Sequence, residues 1–141
     1  MTSVGGDAIL RLMEAGTRWI LATHVQPDGD GIGSQVALAS LLQARGCTPR
    51  IINADPVPEA LAFVTLEHPV EVYEPAKHDE LIESADVVLM LDNSDPKRLG
   101  SLEEVYGRSR GVRACIDHHP DPDPFWQHLM IRETASCTGE L

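Results

Sequence analysis

Two short segments of this chain carry residues of the kinds that bind metal ions, and each follows an apolar run. One is Thr23-His24-Val25-Gln26-Pro27-Asp28-Gly29-Asp30 and the other is Ile116-Asp117-His118-His119-Pro120. A third carboxylate, Asp92, sits in the same context, where Val87-Val88-Leu89-Met90-Leu91 gives way to the polar Asp92-Asn93-Ser94. Hard carboxylate oxygens mixed with imidazole nitrogens suit manganese, magnesium or zinc, and without thiolates nearby the balance leans to manganese or magnesium. Asp28 and Asp30 flank a single glycine. In extended backbone they would point to opposite sides and each could serve a different ion, with Asp92 arriving from another strand end as a bridge. A pair of ions about 3.5–4 Å apart activates a water as nucleophile and polarises a phosphoryl oxygen.

Taken singly, each segment has a plainer explanation. The His24/Asp28/Asp30 cluster reads equally as a solvated, glycine-rich turn whose carboxylates cap the next helix. Asp117-His118-His119 alone reads as a polar strand end with one histidine satisfied by backbone, and Asp92 alone as a turn residue bonding its own main chain. Their shared strand-end context is what joins them into one site.

The elements that must position these residues alternate between strand and helix. Helical spacing covers Asp7 to Ala15, with Gly16 placed to end it, and Trp19 to Ala22 reads as a buried strand. A loop punctuated by Gly29, Gly31 and Gly33 leads into a helix over Ile32 to Ala44, closed by Gly46. A short strand at Arg50 to Asn53 precedes a short helix over Pro58 to Val64. Lys77 to Glu83 is expected to be helical and to feed a strand at Asp86 to Leu91. A helix over Leu99 to Arg108 feeds a strand at Val112 to Ile116. Such alternation with near-continuous apolar strands predicts an α/β fold of three layers, a mainly parallel, Rossmann-like sheet covered by helices on both faces. In a parallel sheet the ends of the strands before His24, Asp92 and Asp117 share one rim. Ala135 to Leu141 resembles the opening turn of a further helix, so the fold is expected to be incomplete at its C-terminus and the chain a fragment.

The chain has 141 residues, 43% of them hydrophobic, which bounds it to one domain. Its formal charge of −11 argues against nonspecific attraction to nucleic acid, so any phosphate must be handled locally, by bound cations among other groups. No apolar run has the length of a membrane span and no secretory leader pattern is present, which leads to the expectation of a soluble, cytoplasmic protein without a membrane partner. Cys47, Cys115 and Cys137 are widely spaced and odd in number, as expected of reduced thiols. His68, His78 and His128 lack ligand-like neighbours and read as surface or partly buried histidines, while Trp19 and Trp126 read as packing residues.

The ordered set His24-x-x-Pro27-Asp28-Gly29-Asp30-x-Ile32-Gly33-Ser34, Asp92, Asp117-His118-His119 and Ala135-Ser136-Cys137-Thr138-Gly139-Glu140 resembles the motifs of the DHH family of phosphoesterases, most closely its nanoRNase/pAp phosphatase branch. The resemblance implies an N-terminal DHH catalytic domain that uses a water activated by two Mn²⁺ ions, with Mg²⁺ an alternative, on short single-stranded oligonucleotides or 3′-phosphoadenosine 5′-phosphate (pAp). Cyclic dinucleotide hydrolysis and a catalytically incomplete binding or regulatory module are the alternatives. By the resemblance, His24, Asp28 and Asp92 would hold one ion and Asp30, Asp92 and His118 the second. His119 would face substrate and stabilise charge on the transferred phosphoryl group, with Asp117 orienting an imidazole beside it. Ser34 falls among the substrate-binding positions. Arg98 is a candidate phosphate clamp by its fork geometry, although an exposed arginine beside Lys97 in so acidic a protein is more often a solvated loop residue or a carboxylate partner. Gly31 and Gly139 depart from the Ala common in the family. A further Asp ligand and a C-terminal substrate-binding domain are implied but absent from 141 residues. The chain alone is therefore expected to bind the second ion weakly and to turn over poorly or not at all, and the full-length protein could be a homodimer.

Overall fold

Runs such as Trp19-Ile20-Leu21-Ala22 and Val87 to Leu91 are apolar at consecutive positions, so as strands they present apolar side chains to both sheet faces and need cover on each. The computed structural model, which describes residues 5–141, supplies that cover. Its elements run α1 (Gly6–Leu12), β1 (Arg18–Thr23), α2 (Gly29–Ala44), β2 (Thr48–Asn53), a 3-10 helix (Glu59–Thr65), β3 (Val70–Val72) and α3 (Pro75–Glu83). There follow β4 (Val87–Leu91), a 3-10 segment (Pro96–Leu102), α4 (Glu103–Gly107), β5 (Val112–Asp117), β6 (His128–Ile131) and a 3-10 turn (Thr138–Glu140).

The six strands form one sheet in the order β3-β2-β1-β4-β5-β6, and every neighbouring pair is parallel. The α/β three-layer expectation therefore holds. Ile9 of α1 and Leu38, Ala39 and Leu42 of α2 pack with Trp19, Leu21, Val87 and Leu89 on one face. Ile82 of α3, Leu99, Leu102, and Val105 and Tyr106 of α4 pack with Ile20, Ala22, Val88 and Met90 on the other. Trp19 and Trp126 are both buried, as expected of packing residues.

Several expectations need correction. Two strands were not expected. β3 has only three residues, and β6 follows the proline-rich loop as His128-Leu129-Met130-Ile131, too brief for a clear period. The helix expected over Leu99 to Arg108 is broken at Gly100, whose φ of +61° lies in the left-handed region; α4 begins only at Glu103. The short helix expected over Pro58 to Val64 is the 3-10 helix Glu59–Thr65, which has no buried residue. His78 is fully buried, not a surface group. Its Nδ1 accepts from the Glu74 amide at 2.9 Å and its Nε2 lies 3.3 Å from Glu71 Oε1. Asp28 and Asp30 do not alternate along an extended segment, because α2 starts between them.

The strand order changes direction between β1 and β4, which is where a parallel α/β sheet opens a crevice beyond its carboxyl ends. His24 leaves β1 and Asp92 leaves β4 at this point, and β5, ending in Asp117, lies next to β4.

Candidate metal centre

Local backbone preferences set each side chain at this rim. Asp28 is the N-cap of α2, in extended conformation, and its Oδ1 accepts from the Gly31 amide at 2.9 Å. A cap of this kind stabilises a helix start by ~1 kcal/mol. Asp30 falls in the first helical turn, where its charge complements the helix dipole. Gly31 is closely packed here, since a Cβ would lie 2.5 Å from Thr23 Oγ1, which itself donates to the Leu91 carbonyl at 2.9 Å. Asp92 has φ of +67°, a left-handed conformation that aspartate tolerates and that turns the chain sharply at the end of β4.

Beneath these loops, Gln35 Nε2 donates to Asn53 Oδ1 at 2.7 Å and Asn53 Nδ2 to Gln35 Oε1 at 3.0 Å, while the Thr23 amide donates to the same Asn53 oxygen at 3.1 Å. This buried, mutually satisfied set fixes the end of β1 against β2 and α2, directly before His24.

The cleft above, about 220 Å³, is lined by His24, Asp28, Asp30, Asp92, Asn93, Arg98, His118 and His119. His24 Nε2 lies 3.7 Å from Asp28 Oδ2 and 3.4 Å from Asp92 Oδ2. His118 Nε2 lies 3.8 Å from Asp30 Oδ2 and 3.6 Å from Asp92 Oδ1. The two oxygens of Asp92 thus face two different groups of donors. His24 Nδ1 donates to the Val25 carbonyl at 2.7 Å, which leaves Nε2 as the ring nitrogen turned to the carboxylates. That is the tautomer a ligating imidazole requires.

Close carboxylates shift each other. Burial pushes Asp92 above its ordinary value, opposed by hydrogen bonding with His24 and Thr138 and reinforced by Asp30. Burial also acts upward on Asp30, but a hydrogen bond from Asp92 when that residue carries the proton, together with those from the Thr138 and Gly139 amides and the Ser34 hydroxyl, outweighs it and holds the Asp30 carboxyl low. Hydrogen bonding to Asp92 raises His24 above the usual imidazole value against the effect of burial. Asp30 and Asp92 are thus shifted in opposite directions within one cleft.

The donor chemistry fits divalent cations. His24, Asp28 and Asp92 each offer one atom within 4.8 Å of the others, and so do Asp92, Asp117, His118 and His119. Asp117 is fully buried. Its Oδ1 lies 2.6 Å from His119 Nδ1 and accepts from the His118 amide at 2.8 Å, whereas its Oδ2 has no partner among the described residues.

Of the residues expected at the site, His24, Asp28, Asp30, Asp92, Arg98, His118 and His119 share the cleft. Arg98 is exposed and forms no ion pair among the described residues; its segment is drawn against the β1 loop by the Val25 amide, which donates to the Arg98 carbonyl at 2.8 Å. Gly100 makes this approach possible, since a Cβ there would lie 2.6 Å from Val25 Cγ1. Ser34, an expected substrate-binding position, is buried and donates to Asp30 Oδ1 at 3.2 Å. Asn93 lines the cleft and was not singled out from the sequence; its place directly after Asp92 was the available signal.

Comparisons with known proteins identify the family of the chain. Residues 18–141 match a family model described as the DHH family, N-terminal domain. The chain is 28% identical over 122 residues to the bifunctional oligoribonuclease and PAP phosphatase NrnA of Bacillus subtilis, an alignment covering 86% of this chain and 36% of that protein. It is 33% identical over 122 residues to the NrnA of Thermus thermophilus, covering 86% and 34% respectively. The chain thus spans about a third of the length of these curated relatives. A crystal structure of an exopolyphosphatase-related protein from Bacteroides fragilis superposes with a TM-score of 0.88 at 28% identity, covering 95% of this chain and 40% of that one.

Proposed function

The chain belongs to the DHH family, matched over the N-terminal domain of that family, and from this premise we propose that it forms the catalytic domain of a metal-dependent phosphoesterase acting on short oligonucleotides, on pAp, or on both. The observation that carries the reading is the position of Asp92, one oxygen 3.4 Å from His24 and the other 3.6 Å from His118, as a bridging carboxylate requires. His24, Asp28 and Asp92 would hold one divalent ion, and Asp30, Asp92 and His118 the other, with manganese favoured and magnesium an alternative. Bound there, the ions would supply Lewis acidity toward a phosphoryl oxygen and lower the pKa of a water.

The chain's own residues do the rest. His119 donates Nδ1–H to Asp117, which fixes the ring and leaves Nε2 for the cleft. From there it can donate to a phosphoryl oxygen as negative charge builds. Arg98 brings its guanidinium to the same cleft, where it can hold a second phosphate by two parallel hydrogen bonds. The names of the two curated relatives, each an oligoribonuclease and PAP phosphatase, support this substrate class.

The test is Mn²⁺-dependent release of AMP from 5′-phosphorylated diadenylate, and of phosphate from pAp, with the Asp92→Asn chain as blank. Weak but measurable product above the blank is the expected result. Bound Mn²⁺ with no product above the blank would contradict it and favour a module that keeps metal without turnover.

A further inference from the structure

Thr138 lies 108 positions after Asp30 and 46 after Asp92, yet it hydrogen-bonds both. Its amide donates to Asp30 Oδ2 at 2.9 Å, and its hydroxyl donates to Asp92 Oδ1 at 2.9 Å. The next amide, that of Gly139, donates to Asp30 Oδ1 at 2.9 Å. We propose that the Thr138 hydroxyl is a positioning group for the metal centre: it holds Asp92 so that its Oδ1 stays on the side of Asp30 and His118. This rests on the metal reading above, and concerns a residue that reading leaves without a role.

Two ionised carboxylates facing one cleft repel, and an unrestrained aspartate relieves the repulsion by rotating away. Three donors from one turn oppose that rotation, because an ionised carboxylate can only accept. The hydroxyl is specific in what it selects. It bonds the Asp92 oxygen that faces His118, at 3.6 Å, and not Oδ2, which faces His24.

The turn is itself held in place. Thr138 is 2% exposed, Cys137 before it is extended, and the Glu140 carboxylate accepts from the Ser136 amide at 2.8 Å and the Ser136 hydroxyl at 2.9 Å. The Leu141 amide closes the turn on the Thr138 carbonyl at 3.0 Å. A donor on a preorganised turn loses little freedom when its acceptor ligates an ion, which is how groups behind a ligand raise metal affinity.

The experiment titrates Mn²⁺ by calorimetry into the wild-type chain and into Thr138→Ser and Thr138→Ala. Both variants lack the methyl group, so they differ from each other only in the hydroxyl. The expected result is that T138A binds Mn²⁺ about tenfold or more weakly, while T138S stays close to wild type. T138A binding as tightly as T138S would overturn the inference alone, as would T138S as weak as T138A. A wild-type chain that binds no Mn²⁺ would overturn the metal reading and this inference with it.

Discussion

Asp92 turns one carboxylate oxygen toward His24 Nε2, at 3.4 Å, and keeps the other for the opposite side of the cleft. Replacing it with Asn keeps the volume and suits the φ of +67°, since Asn tolerates left-handed backbone. The Asp92→Asn chain should melt at or above the temperature of the metal-free wild type, because a buried charge beside Asp30 is gone. Its affinity for Mn²⁺ should fall by about a hundredfold, at the upper end of what the loss of a group near the metal costs. Melting with and without Mn²⁺ checks both statements, and Mn²⁺ raising the melting temperature of the variant as much as that of wild type would contradict them.

Asp117→Asn tests the His119 imidazole. The buried carboxylate accepts from His119 Nδ1 and leaves Oδ2 without a partner, so an amide of the same shape keeps the packing but can present N–H where an acceptor is needed. Turnover of 5′-phosphorylated diadenylate should drop about 10–100-fold, with Mn²⁺ affinity changed less than turnover. Equal losses in both would make Asp117 a ligand rather than an orienting group.

Gly31→Ala should destabilise the chain by about 1–3 kcal/mol, the usual cost of overpacking. The added methyl meets Thr23 Oγ1 at 2.5 Å, with Thr23 Cβ and Cγ2 both at 3.3 Å. Thr23→Ala should recover most of the loss in the double variant, although it also removes the hydrogen bond to Leu91. Urea midpoints of the four proteins in the cycle measure the coupling, and additive losses would show that the loop moves aside instead.

Acid stability should depend on Glu71. Hydrogen bonding from Arg50 first, then the contact with His78, outweighs burial and lowers its carboxyl to about 2. A depressed folded pKa gives stability that is complete above the unfolded value of about 4.3 and is lost as pH falls toward 2. Glu71→Gln should therefore lose less stability than wild type between pH 5 and pH 3, read as the shift in urea midpoint across that interval. Parallel shifts in the two proteins would contradict this.

The residues that announced the centre did so through type and context: His24, Asp92 and Asp117 each end an apolar run, and parallel pairing of β1, β4 and β5 brings those ends together. The long strands were legible because their apolar runs are continuous. β3 and β6 were not, since three or four residues at a sheet edge carry no period and gain their structure from pairing with β2 and β5. The break at Gly100 was hidden because a glycine within an apolar pattern does not reveal its φ. The spacing of Asp28 and Asp30 suggested extended alternation, but capping of α2 by Asp28 decided their directions. The anchoring of Asp30 and Asp92 by Thr138 joins residues so far apart in sequence that only the fold connects them.

The most direct measurement is an anomalous difference map at the manganese edge from crystals of the chain grown with Mn²⁺. Two peaks are expected, one among His24, Asp28 and Asp92 and the other among Asp30, Asp92 and His118, with Asp92 touching both. A map with manganese elsewhere, or with Asp92 touching neither ion, would contradict the account.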